Sequence, residues 1–112
     1  MYIYAELWKP KPSWLALPSG ERQQFADGIG PAIAAFAASG IELIGFAFND
    51  DDTLCRGDYA YIALWQMPSK EAALELENGV ADYGFHDYFE QINARGEIVA
   101  PDAVLAAMVA AS

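Results

Sequence analysis

The chain has 112 residues with 16 acidic and 6 basic side chains, a formal net charge of −10, and 54% hydrophobic residues. Such a length holds one domain, residues 1–112, and a surface so negative repels phosphate backbones, which excludes nucleic acid and anionic membrane as natural partners. The hydrophobic excess needs an outlet, either a second subunit or the lining of an apolar pocket. The single cysteine, Cys55, rules out an internal disulfide framework and fits a reducing, cytoplasmic setting. Met1 leads into Glu6 without a basic leader, and no apolar run approaches the ~20 residues that cross a bilayer.

Tyr2 to Trp8 reads as a strand of aromatic and β-branched residues, stopped by Lys9-Pro-Lys-Pro12. Ser13 to Leu17 suits one helical turn. From Ser19 to Ser39 the period becomes helical, with Phe25, Ile29, Ile33 and Phe36 on one face and a kink expected near Gly30-Pro31. Gly40 closes that helix. Ile41–Asn49 and Asp58–Met67 are two strands joined by a loop rich in Asp and Gly.

Ser69 caps a helix expected to end near Asn78-Gly79, Tyr88–Ala94 is a fourth strand, and Pro101–Ala111 is a last helix. The order βαββαβ plus a C-terminal helix predicts an α+β, ferredoxin-like antiparallel sheet with strands ordered 4-1-3-2 and both helices on one face.

Alternation divides each strand between two faces. Ile3, Ala5, Leu7 and Ala60, Ile62, Leu64 form the expected helix-facing core. Tyr2, Tyr4, Glu6, Trp8 and Tyr59, Tyr61, Ala63, Trp65 form the opposite face, to which the second strand adds Phe46 and Phe48. A bare aromatic patch of that size calls for a cover, most economically the same face of a second copy, hence a homodimer. Those aromatics would make either a dry interface or a ligand cavity. Glu6 favours the cavity, because a buried carboxylate needs partners or water.

The phrases Glu6-Leu7-Trp8, Lys11-Pro-Ser-Trp-Leu15, Gly30-Pro31 and Asp87-Tyr-Phe-Glu-Gln-Ile-Asn93 resemble a small bacterial family of unassigned function within the dimeric α/β-barrel superfamily. The resemblance spans nearly the whole chain. It implies the fold and a dimer whose two sheets enclose a space, but no particular reaction. The wider superfamily holds cofactor-free monooxygenases, polyketide cyclases, lactone isomerases, aldoxime dehydratases and haem-degrading enzymes, and fold does not choose among them.

The chemistry-bearing candidates are few. Glu6 among aromatic walls would have a raised pKa and could shuttle a proton, and neighbouring phenols could hold an enolate or phenolate. His86, the only histidine, is the other candidate catalytic base, although a lone loop histidine more often only caps or packs. It has no companion ligand cluster that would favour haem or metal. Tyr2, Tyr4, Trp8, Phe46, Tyr59, Tyr61 and Trp65 are the expected substrate walls, with Arg56, or else Arg22, to grip an acidic group. Trp14 suits a lid or a plug. Lys9, Lys11 and Arg22 leave room for a locally positive mouth. Asn49-Asp-Asp-Asp52 lacks the alternating ligands of a calcium loop, and Cys55 lacks an activating neighbour.

The leading expectation is a cofactor-independent enzyme doing proton-transfer chemistry (lyase, isomerase, decarboxylase or cyclase) on a small apolar, aromatic substrate. A cofactor-free monooxygenase fits the same pocket, as does a non-catalytic ligand-binding or stress-associated dimer.

Overall fold

The computed structural model describes residues 1–112. Tyr2–Pro10 forms β1, Pro12–Leu15 the single turn α1, Ser19–Asp27 α2 and Ile29–Ala38 α3. Glu42–Phe48 and Tyr61–Met67 form β2 and β3. Lys70–Asp82 is α4, Phe85–Tyr88 the short α5, Phe89–Glu97 β4 and Pro101–Ala110 α6. The strands lie in the order β2-β3-β1-β4, all antiparallel, which is the 4-1-3-2 sheet expected from the element order. This is a ferredoxin-like α+β fold.

Local chemistry sets most boundaries. Ser69 Oγ accepts the Ala72 amide at 3.2 Å and starts α4. Gly40, at φ +84°, ends α3 in the left-handed conformation that glycine adopts without a Cβ clash. The expected kink is a break between α2 and α3 at Gly28, two residues ahead of Gly30. β1 runs two residues past Trp8 and stops within Lys9-Pro-Lys-Pro12 as expected, with Pro10 its last residue at the end of the ladder opposite Phe89. Asn78-Gly79 did not end α4. Gly79 lies against α3, and a Cβ built there would stand 2.5 Å from Phe36 Cζ, so the glycine marks a close helix approach rather than a stop.

The main correction concerns the faces of the sheet. Within the strands the two lists are right (Tyr59 and Ala60 fall ahead of β3), but their sides are exchanged. The helices cover Tyr4, Glu6, Ala63, Trp65 and Met67, and the buried cluster joins these sheet residues, Glu6 apart, to Ile41, Ala72, Ala73 and Leu76. Tyr2 and Trp8 pack partly buried against it. The aliphatic list is the open face: Ile3, Leu64 and Ile92 are each more than 40% exposed on neighbouring strands. Register places Ala5 between Leu64 and Ala94, and Leu7 between Ile62 and Ile92, in the same apolar surface. The aromatic face is therefore roofed by the chain's own helices, and it is the aliphatic face that lacks a cover.

The protomer is extended for its mass. Its surface of 7358 Å² exceeds by roughly 1,300 Å² the area of about 6,100 Å² usual for 12.2 kDa. Part of the excess is α6, where Val104, Leu105, Met108 and Val109 are all more than half exposed. No helix is long and apolar enough to cross a membrane.

Candidate active site

Where the helices stand off from the sheet, large side chains reach across and leave an apolar cavity of about 300 Å³. Its floor is the sheet: Glu6 and Trp8 from β1, Tyr61 and Trp65 from β3, Phe46 from β2. Its roof is the helical face foreseen from periodicity, Phe25, Ile29, Ile33 and Phe36, completed by Val80 of α4. Trp14, Phe85 and Phe89 close one end, with Trp14 and Phe89 centroids 4.7 Å apart and Phe85 stacked on Phe89 at 4.6 Å. Trp14 is thus a wall of the cavity. The volume suits one small ring system at the lower end of ordinary ligand pockets.

Glu6 is the one ionisable carboxylate in this lining and is 6% exposed. Two donors hold it. Trp65 Nε1–H donates to Oε1 at 2.5 Å, and Gln91 Nε2–H donates to Oε2 at 2.7 Å. Burial pushes its pKa above the usual carboxylate range, and the two hydrogen bonds pull the other way. No Lys or Arg side chain lines the cavity, so no cation offsets its charge.

Glu6 also borders a second, polar cavity of about 280 Å³, lined by Tyr4, Glu77, Val80, His86, Gln91 and Asn93. Tyr4 Oη–H donates to Glu77 Oε1 at 3.0 Å, and Arg95 Nε–H donates to the same oxygen at 2.7 Å. Arg95 holds the Glu77 carboxyl below its usual range. Burial first, then the bond to Glu77, pushes the Tyr4 phenol well up, so it stays protonated. Gln91 Nε2 donates also to Asn93 Oδ1 at 2.7 Å, while Gln91 Oε1 is buried and unpartnered.

The expected site residues separate accordingly. Glu6, Trp8, Phe46, Tyr61 and Trp65 meet in the apolar cavity, and Tyr4 and His86 face the polar one. His86 sits on α5, an element that the sequence reading passed over, and is exposed there. Three residues are not brought to either cavity. Tyr2 lies at the far end of β1, opposite Met67 and Glu97. Tyr59 lies in the β2–β3 loop with Lys9 Nζ 5.2 Å from its ring. Arg56 is not an anion grip, because its guanidinium is spent on the loop backbone, donating to Asp50 O at 2.8 Å and Tyr59 O at 3.0 Å. Arg22 likewise donates to Trp14 O and Leu15 O at the end of α1. Gln91 and Asn93 are functional candidates that only the phase of β4 reveals, since both alternate to the side of Glu6 while Glu90 points away. No three His, Cys, Asp or Glu side chains converge as metal ligands.

Structural comparison places the fold but not an activity. TA0507, which carries the provisional name chlorite dismutase, superposes with a TM-score of 0.61 at 15% identity over 88% of this chain. This chain spans 44% of the length of TA0507. At3g17210 from Arabidopsis thaliana matches with a TM-score of 0.57 at 12% identity, covering 89% of this chain and 97% of its own. A VAO-type flavoprotein from Myceliophthora thermophila C1, MtVAO713, matches at 0.52 and 14% identity, over 95% of this chain but 19% of its own. No curated protein sequence matches. Residues 1–111 fit one sequence family, and the chain accordingly belongs to the family of unknown function DUF6616.

Proposed function

We propose that the protein is a cofactor-independent enzyme that moves a proton on a small, uncharged aromatic substrate, with Glu6 as the acid–base group. One observation carries this reading: a buried carboxylate, kept by two donors and no cation, is set in the wall of an otherwise aromatic cavity. A carboxylate in such surroundings titrates closer to neutrality, where an acid–base group is most effective. The absence of Lys and Arg from the lining selects against an anionic substrate, because an incoming carboxylate would meet Glu6 with nothing to neutralise it. Lyase, isomerase, decarboxylase and cyclase chemistry all fit such a pocket. Tyr61 is the phenol placed to orient a substrate oxygen, and His86 serves from the polar side, exchanging protons with solvent.

The working unit of this reading is a homodimer joined through the aliphatic face around Ile3, Leu64 and Ile92. The protomer's excess of roughly 1,300 Å² exceeds the ~800 Å² that each partner buries in an ordinary stable interface. A chain of charge −10 must also associate through a surface poor in charge, which this face supplies.

Native mass spectrometry of freshly purified protein, with identification of whatever is released, is the test. A dimer carrying a neutral aromatic compound that the protein then converts supports the proposal. A bound ligand that is never converted assigns the pocket to sequestration, and a carboxylated ligand overturns the substrate class.

A further inference from the structure

Gln91 is held in a way that satisfies only half of its amide. Its Nε2 donates one hydrogen to Glu6 Oε2 and the other to Asn93 Oδ1, both at 2.7 Å, whereas its Oε1 is buried without a donor. A buried carbonyl oxygen left unpaired is costly, so the arrangement wants a reason. The partners supply one. Glu6 as a carboxylate only accepts, and both groups that reach it, the Trp65 indole and the Gln91 amide, donate. Glu6 as a carboxylic acid carries a hydroxyl that must find an acceptor. The Trp65 indole cannot accept, but Gln91 Oε1 can if the amide turns over.

We propose that Gln91 is a two-state positioning residue, presenting nitrogen to ionised Glu6 and turning to present oxygen once Glu6 takes up a proton. In the turned state Oε1 accepts the Glu6 hydroxyl, and Asn93, turning likewise, donates Nδ2–H to the same oxygen. The Gln91 nitrogen then faces where the unpartnered oxygen now lies. Gln91 Oε1, short of a donor with Glu6 ionised, gains the Glu6 hydroxyl when Glu6 is protonated, while the freed Gln91 amide hydrogens and Asn93 Oδ1 turn toward the polar cavity. The polar cavity beside Gln91 and Asn93 gives both amides room to turn and gives the proton its route, since exposed His86 and Asn93 open that cavity to solvent. The proton thus comes from water on the polar side and rests on Glu6 Oε2, while the opposite carboxylate oxygen stays bonded to Trp65.

Other charged and titratable groups share these cavities, and the infrared band assigned with Glu6→Gln separates Glu6 from them. The other titratable groups facing the two cavities are Tyr4 of β1, Tyr61 of β3, Glu77 of α4, Tyr83 just beyond it and His86 of α5. Glu77 is already paired with Arg95 of β4 and with the Tyr4 hydroxyl, and the Tyr83 hydroxyl donates to Phe25 O.

The inference rests on the acid–base role given to Glu6, but its test needs no substrate. Infrared absorption of the protonated carboxyl, assigned with Glu6→Gln, locates the Glu6 midpoint in the ligand-free protein. Neutron diffraction from deuterated crystals held on either side of that midpoint then distinguishes the ND₂ of Gln91 from its oxygen. The expected result is ND₂ toward Glu6 above the midpoint and oxygen toward Glu6 below it. Glu6→Gln, whose own amide must donate, should hold Gln91 in the turned orientation at both pH values. In solution, Trp65→Phe, which removes a donor that binds the carboxylate more strongly than the carboxylic acid, should raise the midpoint by about one pH unit, a tenfold effect. Gln91→Met, which removes a partner of both forms, should move it by less than a third of that. The same Gln91 orientation on both sides of the midpoint overturns the inference. So does a shift in Gln91→Met as large as in Trp65→Phe. An amide that turns in a protein without turnover would sink the proposed function alone, and a fixed amide in a converting enzyme would sink this inference alone.

Discussion

Trp65 on β3 donates its indole hydrogen to Glu6 on β1 at 2.5 Å, diagonally across the middle of the sheet and at the floor of the aromatic cavity. That one bond ties the largest core side chain of the sheet to the only charge in the apolar lining. A hydrogen bond to a charged group contributes about 1.5–3 kcal/mol. Trp65→Phe should therefore lower stability by roughly that amount at pH 8 and by less at pH 4, where Glu6 is protonated. Chemical denaturation at the two pH values reads the difference.

Glu6 itself imposes a pH dependence of definite sign. Its folded pKa lies above the ordinary glutamate value of 4.5, so between 4.5 and the folded midpoint the native state holds the proton more firmly than the unfolded chain. Its contribution to stability is complete below 4.5 and falls as pH rises through the folded value, at no more than about 1.36 kcal/mol per pH unit. Glu6→Gln should abolish that fall and leave the variant more stable than the parent at pH 8. Denaturant midpoints measured from pH 4 to 8 check this, and a variant that is less stable throughout would deny the desolvation account.

Gly79 of α4 packs closely on Phe36 of α3 in the cavity wall. Gly79→Ala gains about 1 kcal/mol in helix propensity but forces the Phe36 ring, 2.5 Å from the new methyl, toward Trp65. Overpacking of this kind costs about 1–3 kcal/mol, so the net change should be a loss of up to ~2 kcal/mol. A fluorescent apolar probe that binds the parent should bind this variant at least tenfold more weakly, whereas Gly20→Ala, with open space around it, should leave probe affinity unchanged.

The uncovered aliphatic face predicts a separable assembly. Leu64 is 43% exposed in the protomer, so Leu64→Glu should leave the fold within about 0.5 kcal/mol of the parent once monomeric. Two-fold symmetry would place two such carboxylates in one interface and should weaken dimerisation by more than about 100-fold. Sedimentation velocity across a concentration series reads the result. A parent that stays monomeric at high concentration would contradict the assignment of this face.

The order of elements was legible in the sequence because each boundary had its own chemistry: Ser69 as a cap, Gly40 as a stop, the Asp- and Gly-rich β2–β3 loop. Alternation likewise divided Ile3, Ala5 and Leu7 correctly from Tyr4, Glu6 and Trp8. What alternation does not carry is sign. Small aliphatic residues suit a helix-packed face, so that side was read as the core. The helices instead pack on the opposite side, where Tyr4, Trp8 and Trp65 reach up to meet them. Glu6 was legible as an anomaly on its strand. Its partner Gln91 was hidden by the unknown phase of β4, and α5, four residues long, is too short for periodicity to reveal. Arg56 misled for a simpler reason, since nothing in a sequence shows that a guanidinium is already occupied by its own loop.

The central claim is that Glu6 moves the proton. With the natural ligand in hand, kcat of Glu6→Gln against the parent tests it most directly, with bound ligand per protomer measured alongside. The account predicts a loss of about 10²–10⁴-fold in kcat with ligand occupancy preserved. Turnover equal to the parent at equal occupancy would contradict it.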